Sequence, residues 1–204
     1  MASIMPFDSF LRTSLPKKLF KSYRSLEILS EADLQAYVWM HSTRFLRRLP
    51  GGASKFIVQN KFYLQDLKIH PDLVVLRFGK PWICLELKEA GRIVPKAIGE
   101  DWKRLNKTRR KLKAHRGYLI YLVRHSGRHF PKPRHFSEIK DRRSCLFPIV
   151  VSVADQLSAE EFTAWNARFK RCSKYRLPPK RGKGAGSQRW ATRANLVRDP
   201  RFHG

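Results

Sequence analysis

Residues 70–90 read HPDLVVLRFGKPWICLELKEA. The runs at 72–79 and 81–90, rich in Val, Leu and Ile, favour strands, and Gly79 with Lys80 between them predicts a tight hairpin. In the second strand Glu86 and Lys88 are two apart and share a face, while Ile83, Leu85 and Leu87 take the other, toward the core. An acid and a lysine on a strand with a core-like sequence need partners or a task, because uncompensated charge is costly away from water. Whether Asp72 joins them depends on one residue of register. Pairing Phe78 with Pro81 sets Asp72 opposite Leu87 and away from Glu86. An odd-length turn or one bulge moves Asp72 opposite Glu86 or Lys88. Bulges gather near functional sites, and an odd turn or a bulge is the expectation here.

Outward from the hairpin, helices and strands alternate. Ser30 followed by Asp33 fits an N-terminal capping box. The recurrence of Leu34, Val38, His41 and Phe45 then predicts a helix over 31–48, ended by Pro50-Gly51-Gly52. Residues 55–64, with Phe56, Val58 and Phe62, favour a strand. Pro95 suits the first turn of a helix, which carries Ile98, Trp102, Leu105 and Leu112 toward the sheet and is closed by Gly117. Residues 96–116 hold nine Lys and Arg, with Glu100 and Asp101 as the acids. YLIYLVRH at 118–125 has the composition of a strand buried on both faces. HFSEIKDRR at 135–143 suggests a short helix, 146–154 a further strand, and 158–171 a helix capped by Ser158 and Glu161. This order implies an α/β fold of three layers, with a mixed β-sheet flanked by helices. Its domain spans 29–171, between a basic N-terminal arm at 1–28, with room for one short helix and regular structure limited by Pro6 and Pro16, and a basic C-terminal tail at 172–204.

Charge narrows the partners. The 204 residues hold 43 Lys and Arg against 16 Asp and Glu, a net charge of +27. A compact domain at that charge repels itself unless a polyanion offsets it, and nucleic acid does so with release of counterions. Cys84, Cys145 and Cys172 form no metal-ligand spacing. No apolar run is long enough for a membrane span, so a membrane partner is not expected. The N-terminus is a poor signal peptide, which suggests a cytoplasmic or nucleoid-associated protein and leaves organellar and nuclear sites open.

Two adjacent carboxylates, Asp72 and Glu86, suit Mg²⁺, with Mn²⁺ as its substitute, because Mg²⁺ takes oxygen ligands and keeps several waters. The Leu87 backbone oxygen is a further ligand within reach of such a site. Lys88 supplies the positive group that meets a phosphate's charge: it can orient the water, stabilise the transition state or act as base. Phosphodiester hydrolysis needs this division of labour more than it needs a third acid.

The spacing Pro71-Asp72, thirteen residues, Glu86-Leu87-Lys88 resembles the PD-(D/E)xK, or restriction-endonuclease-like, nucleases. The order of elements over 30–125, extending toward 171, is similar to that family's αβββαβ core. The resemblance implies a restriction-endonuclease-like core and a Mg²⁺-dependent endonuclease that cuts DNA in most members and RNA in some. It also implies a further acid on the first helix, which Glu31 matches as a catalytic and metal-binding residue. Such nucleases often pair subunits, so a homodimer or larger nucleoprotein assembly is in keeping with it.

Plainer readings stand beside each residue. Asp72 also suits a turn after Pro71, and Glu86 with Lys88 a solvated salt pair. Glu31 sits where an acid complements a helix dipole, as do Glu100 and Asp101. Gln35 shares Glu31's side of the helix, and Glu89 points to the opposite face from Lys88. Lys103, Arg104, Lys107, Arg110 and Lys111 are either phosphate contacts or an ordinary solvated face. Trp102 reads as core, His70 and His125 are lone histidines, and Trp190 lies in the basic tail. The alternatives to a nuclease are a non-catalytic nucleic-acid-binding module and a structural component of a nucleoprotein.

Overall fold

The structure is a computed structural model that describes residues 5–60, 71–92, 95–125 and 145–176. Phe62, His70, the expected helix at 135–143 and the tail from 177, with Trp190, lie outside the described residues, as does the His125 side chain. Five strands form one mixed sheet in the order β1-β2-β3-β4-β5: β1 Phe56–Asn60, β2 Leu73–Arg77, β3 Lys80–Arg92, β4 Arg116–His125 and β5 Leu146–Ser152. β1, β2 and β3 pair antiparallel; β3, β4 and β5 pair parallel.

Helices cover both faces. On one, α5, Pro95–Leu112, packs Ile98, Trp102, Leu105 and Leu112 onto Val74, Cys84, Leu119, Tyr121 and Val123. The other face, with Leu73, Val75, Ile83, Leu85, Leu87, Tyr118 and Ile120, lies under α3, Glu31–Arg47, which the short α4, Gly52–Lys55, follows, and under α6, Ala159–Arg176, together with the N-terminal helices. The α/β class and three layers agree with the sequence reading. On α3 the buried stripe is Leu34, Val38, Ser42 and Leu46. Phe45 packs partly buried beside it, and His41 sits against the Tyr37 ring instead of in the core.

The expected N-terminal arm needs correction. Residues 5–24 are helical: α1 Met5–Ser9, a π-turn Phe10–Ser14 and α2 Leu15–Arg24. Phe7, Phe10, Leu11, Leu15, Leu19 and Tyr23 recur at helical spacing and are buried. Pro16 falls in the first turn of α2, just after the π-turn, where its missing N–H is tolerated. Polar ties anchor the segment. Tyr118 donates to Asp8, which also pairs with Arg116 at 2.8 Å, and Tyr23 donates to Glu89 at 2.6 Å. Residues 5–24 are therefore part of the domain. At the other end, α6 extends to Arg176, past the expected boundary at 171.

Gly117 also has a different task from the one expected. α5 ends at Leu112, Lys113 takes the left-handed conformation, φ 53°, and Gly117 lies within β4. A β-carbon on Gly117 would lie 2.6 Å from the Leu146 side chain and 3.2 Å from Leu105, so a larger residue there would have to displace the Leu146 side chain.

Candidate active site

The hairpin register decides what Asp72 meets. The turn is Phe78-Gly79, one residue earlier than the sequence suggested, with Arg77 opposite Lys80. Both turn residues have positive φ, 51° and 74°, as a two-residue type I′ turn requires. That turn alone would place Asp72 opposite Leu85. A bulge then intervenes: Leu76 pairs with Pro81 but Val75 with Ile83, leaving Trp82 as the extra residue. The bulge turns the Trp82 ring to the same core as Ile83, against Phe7 and Phe56, with the Arg77 guanidinium over it. Beyond it Leu73 pairs with Leu85, and continuing the register brings Asp72 level with Glu86. The expected bulge is present.

Asp72 is held at both oxygens. Gln35 Nε2 donates to Oδ1 at 2.6 Å and the Leu87 backbone N–H donates to Oδ2 at 2.7 Å. Burial raises the Asp72 pKa, opposed by the Leu87 hydrogen bond and the Lys88 charge. The N–H and C=O of one strand residue leave on the same side, so the Leu87 carbonyl is turned toward Asp72's side of β3.

Glu86 is 5% exposed and lies under α5. Its pKa is pushed up to about 7, first by burial and then by the Asp72 charge, against the attraction of Arg104 and Lys88. Arg104 donates through one nitrogen to Glu86 and, at 2.7 Å, to Asp101. Asp101 is buried and also accepts from the Tyr121 hydroxyl. Glu86, Arg104, Asp101 and Tyr121 thus form one chain of contacts between sheet and helix.

Lys88 reaches the other way, to α3: its Nζ donates to both Glu31 oxygens, at 3.2 and 3.1 Å. Glu31 is therefore brought to the site, as Lys88's partner. Among the described residues no group of three or more His, Cys, Asp or Glu side chains is arranged to hold a metal ion. Asp72 stands level with Glu86 on the paired strands, and the Asp72 charge acts on Glu86 as the Glu31 charge acts on Asp72; two carboxylates with waters are the usual protein share of a Mg²⁺ shell. Their crowding, with Arg104 already drawn to Glu86, is the electrostatic setting that a divalent cation relieves.

No protein-family model matches the chain, and no curated protein or solved structure matches it.

Of the basic residues expected to face phosphate, Lys103, Lys107, Arg110 and Lys111 are exposed along α5. Arg104 is also exposed in part, but it turns its guanidinium to Glu86. Sequence reasoning assigned Asp101 to the helix dipole and missed its bond to Arg104. The i, i+3 spacing of the two was the available signal. Glu89 does lie on the opposite face, bonded by Tyr23 and 3.6 Å from Arg124. Among the described residues no helix is long and apolar enough to cross a membrane.

Proposed function

We propose that this chain is a metal-dependent nuclease of the PD-(D/E)xK type, with a restriction-endonuclease-like core, that hydrolyses DNA phosphodiester bonds. One observation carries the reading: the Trp82 bulge sets Asp72 level with Glu86, at a point where Lys88 extends from the same strand. Asp72 and Glu86, with the Leu87 carbonyl, would hold Mg²⁺ or Mn²⁺. When bound, such an ion polarises a phosphodiester oxygen and lowers the pKa of water.

The chain's own groups do the rest. Gln35 and the Leu87 N–H fix the orientation of Asp72. Arg104 balances Glu86 when no cation is present and, half-exposed, is free to turn to a phosphate. Lys88, held by Glu31, carries the positive charge that offsets the negative charge on the oxygens around phosphorus as water adds and the leaving oxygen departs. Lys103, Lys107, Arg110 and Lys111 would bind the backbone on either side.

The test is a panel of duplex, branched and single-stranded DNA and RNA, with Mg²⁺ and with chelator, using wild type and Glu86→Ala. Metal-dependent cutting lost in the variant, with nucleic-acid binding kept, is the expected result. A wild type that binds but cuts nothing with Mg²⁺ or Mn²⁺ overturns the proposal in favour of a non-catalytic binding module.

A further inference from the structure

One surface outside the candidate site combines exposed apolar groups with unpaired positive charge. On α3, Trp39 and Met40 are 41% and 47% exposed, and Ile57 of β1, beside them, is 53% exposed. Trp39, Met40, Thr43, Arg44, Arg47 and Arg48 line a depression of about 390 Å³. A second, of about 250 Å³, shares Trp39, Thr43 and Arg47 and runs to Ile57 and Val58 on β1. Arg44, Arg47 and Arg48 are exposed and make no ion pair among the described residues. The Thr43 hydroxyl, between the two depressions, has no hydrogen-bond partner among the described residues.

The Trp39 ring is fixed in place. Its Nε1 donates to the Val58 carbonyl at 2.9 Å, across to the outer strand of the sheet. A ring held by its N–H and partly exposed offers apolar surface with little motion to lose on binding. Its position along α3 is informative. Glu31, Gln35, Trp39, Thr43 and Arg47 follow at steps of four, so they form one stripe along the helix. Each step advances about 6 Å, which puts Trp39 one turn beyond Gln35, the residue that holds Asp72.

We infer that the surface around Trp39, on the part of α3 beyond Gln35, is a binding platform for unpaired nucleotides, with a base stacked on Trp39 and phosphates on Arg44, Arg47 and Arg48. The inference rests on the nucleic-acid reading of the site and adds a substrate class to it: strands with unpaired bases next to the phosphate to be cut. Charge selects the occupant. The charged residues that line the two depressions, Arg44, Arg47 and Arg48, are all cationic, so the partner is anionic, and it must also cover exposed indole and aliphatic surface. Single-stranded nucleic acid meets both demands, since stacking on aromatic rings accepts any base and its backbone takes the arginines. A duplex hides its base faces and has no use for Trp39.

The experiment is fluorescence anisotropy in chelator, so that binding is measured without cutting, with labelled oligo(dT) and a duplex of equal length. Wild type is compared with Trp39→Ala, Trp39→Phe and the triple variant Arg44→Ala/Arg47→Ala/Arg48→Ala, each checked for folding by circular dichroism. Trp39→Ala should weaken oligo(dT) binding about tenfold and duplex binding less than about twofold. Trp39→Phe, which keeps an aromatic face but not the bond to Val58, should stay within about threefold of wild type for oligo(dT). The triple variant should weaken both probes and flatten their salt dependence. Unchanged oligo(dT) binding in Trp39→Ala, or an equal loss on both probes, overturns the platform. So does a wild-type dimer that Trp39→Ala converts to monomer, which would make a second copy the occupant. Failure to cut any substrate, with this binding pattern intact, would count against the nuclease alone.

Discussion

The Leu87 backbone N–H donates to Asp72 Oδ2 at 2.7 Å, locking the middle of β3 to a carboxylate just ahead of β2. The bond spans the place where the register, shifted by Trp82, sets Asp72 level with Glu86. Gln35 takes the other Asp72 oxygen from α3. Gln35→Ala should therefore weaken Mg²⁺ binding about 10- to 100-fold, the usual effect of losing a residue that orients a metal ligand. Isothermal titration with Mg²⁺ or Mn²⁺ would measure it, and melting should change little. Equal metal affinity in both proteins would remove Gln35 from the site.

On the proposed metal role of Glu86, metal binding and stability should depend on pH in opposite senses. Its ordinary value of 4.5 rises to about 7 in the fold. Between these values the folded chain keeps a proton that the unfolded chain has lost, so stability falls as pH rises through this window. The contribution is complete below about pH 4.5 and gone above about pH 7. Glu86→Gln should abolish that component of the melting profile in chelator. A divalent cation competes with the same proton, so its affinity should climb from about pH 5 and level off above about pH 7. Carboxyl NMR titration of the metal-free protein reads the group directly.

Lys88 and Glu31 form an ion pair with side chains 27% and 40% exposed. Partly exposed pairs contribute roughly 1 kcal/mol or less. Lys88→Met should thus leave the melting temperature within a few degrees while cutting falls by at least about 100-fold. Glu31→Gln should be milder, because it frees Lys88 without removing its charge. Should Lys88→Met unfold the protein instead, Lys88 would be structural.

Deleting residues 1–24 separates a core segment from an arm. Phe7, Phe10, Leu11, Leu15, Leu19 and Tyr23 are all buried. At roughly 1.5–3 kcal/mol for each such side chain, their loss rivals the whole stability of a typical domain, about 5–15 kcal/mol. The truncated chain should show no cooperative melt by circular dichroism. A truncated chain that melts like the full one would restore the arm.

The exposed Lys103, Lys107, Arg110 and Lys111 should set the salt dependence of binding. Replacing any one by Ala should reduce the slope of log affinity against log salt by about one wherever that residue contacts a phosphate. Binding isotherms at several salt concentrations decide this residue by residue.

Much of the architecture was legible because it is local. The Ser30–Asp33 cap starts α3, Pro95 opens α5, and the apolar run at 118–125 fills β4, each from residues adjacent in sequence. The face shared by Glu86 and Lys88 follows from strand period alone. By contrast, two prolines and a basic composition left room for only one short helix in the N-terminal segment and hid its place in the core. Its apolar spacing of 7, 10, 11, 15, 19 and 23 was the signal present, but that stripe acquires a surface to bury against only once the sheet exists.

By itself, then, the sequence determined the α/β alternation, the strand that carries Glu86 and Lys88, and a net charge of +27. Only the tertiary structure decided that Asp72 stands level with Glu86. A tight turn leaves that register open by one residue, and the Trp82 bulge closes it. The Trp82 ring packs on Phe7 and Phe56, side chains from distant parts of the chain that no local pattern brings together. The same reason explains why Lys88 met Glu31 and Arg104 met Glu86: long charged side chains choose partners by proximity, and proximity here is made by packing between layers.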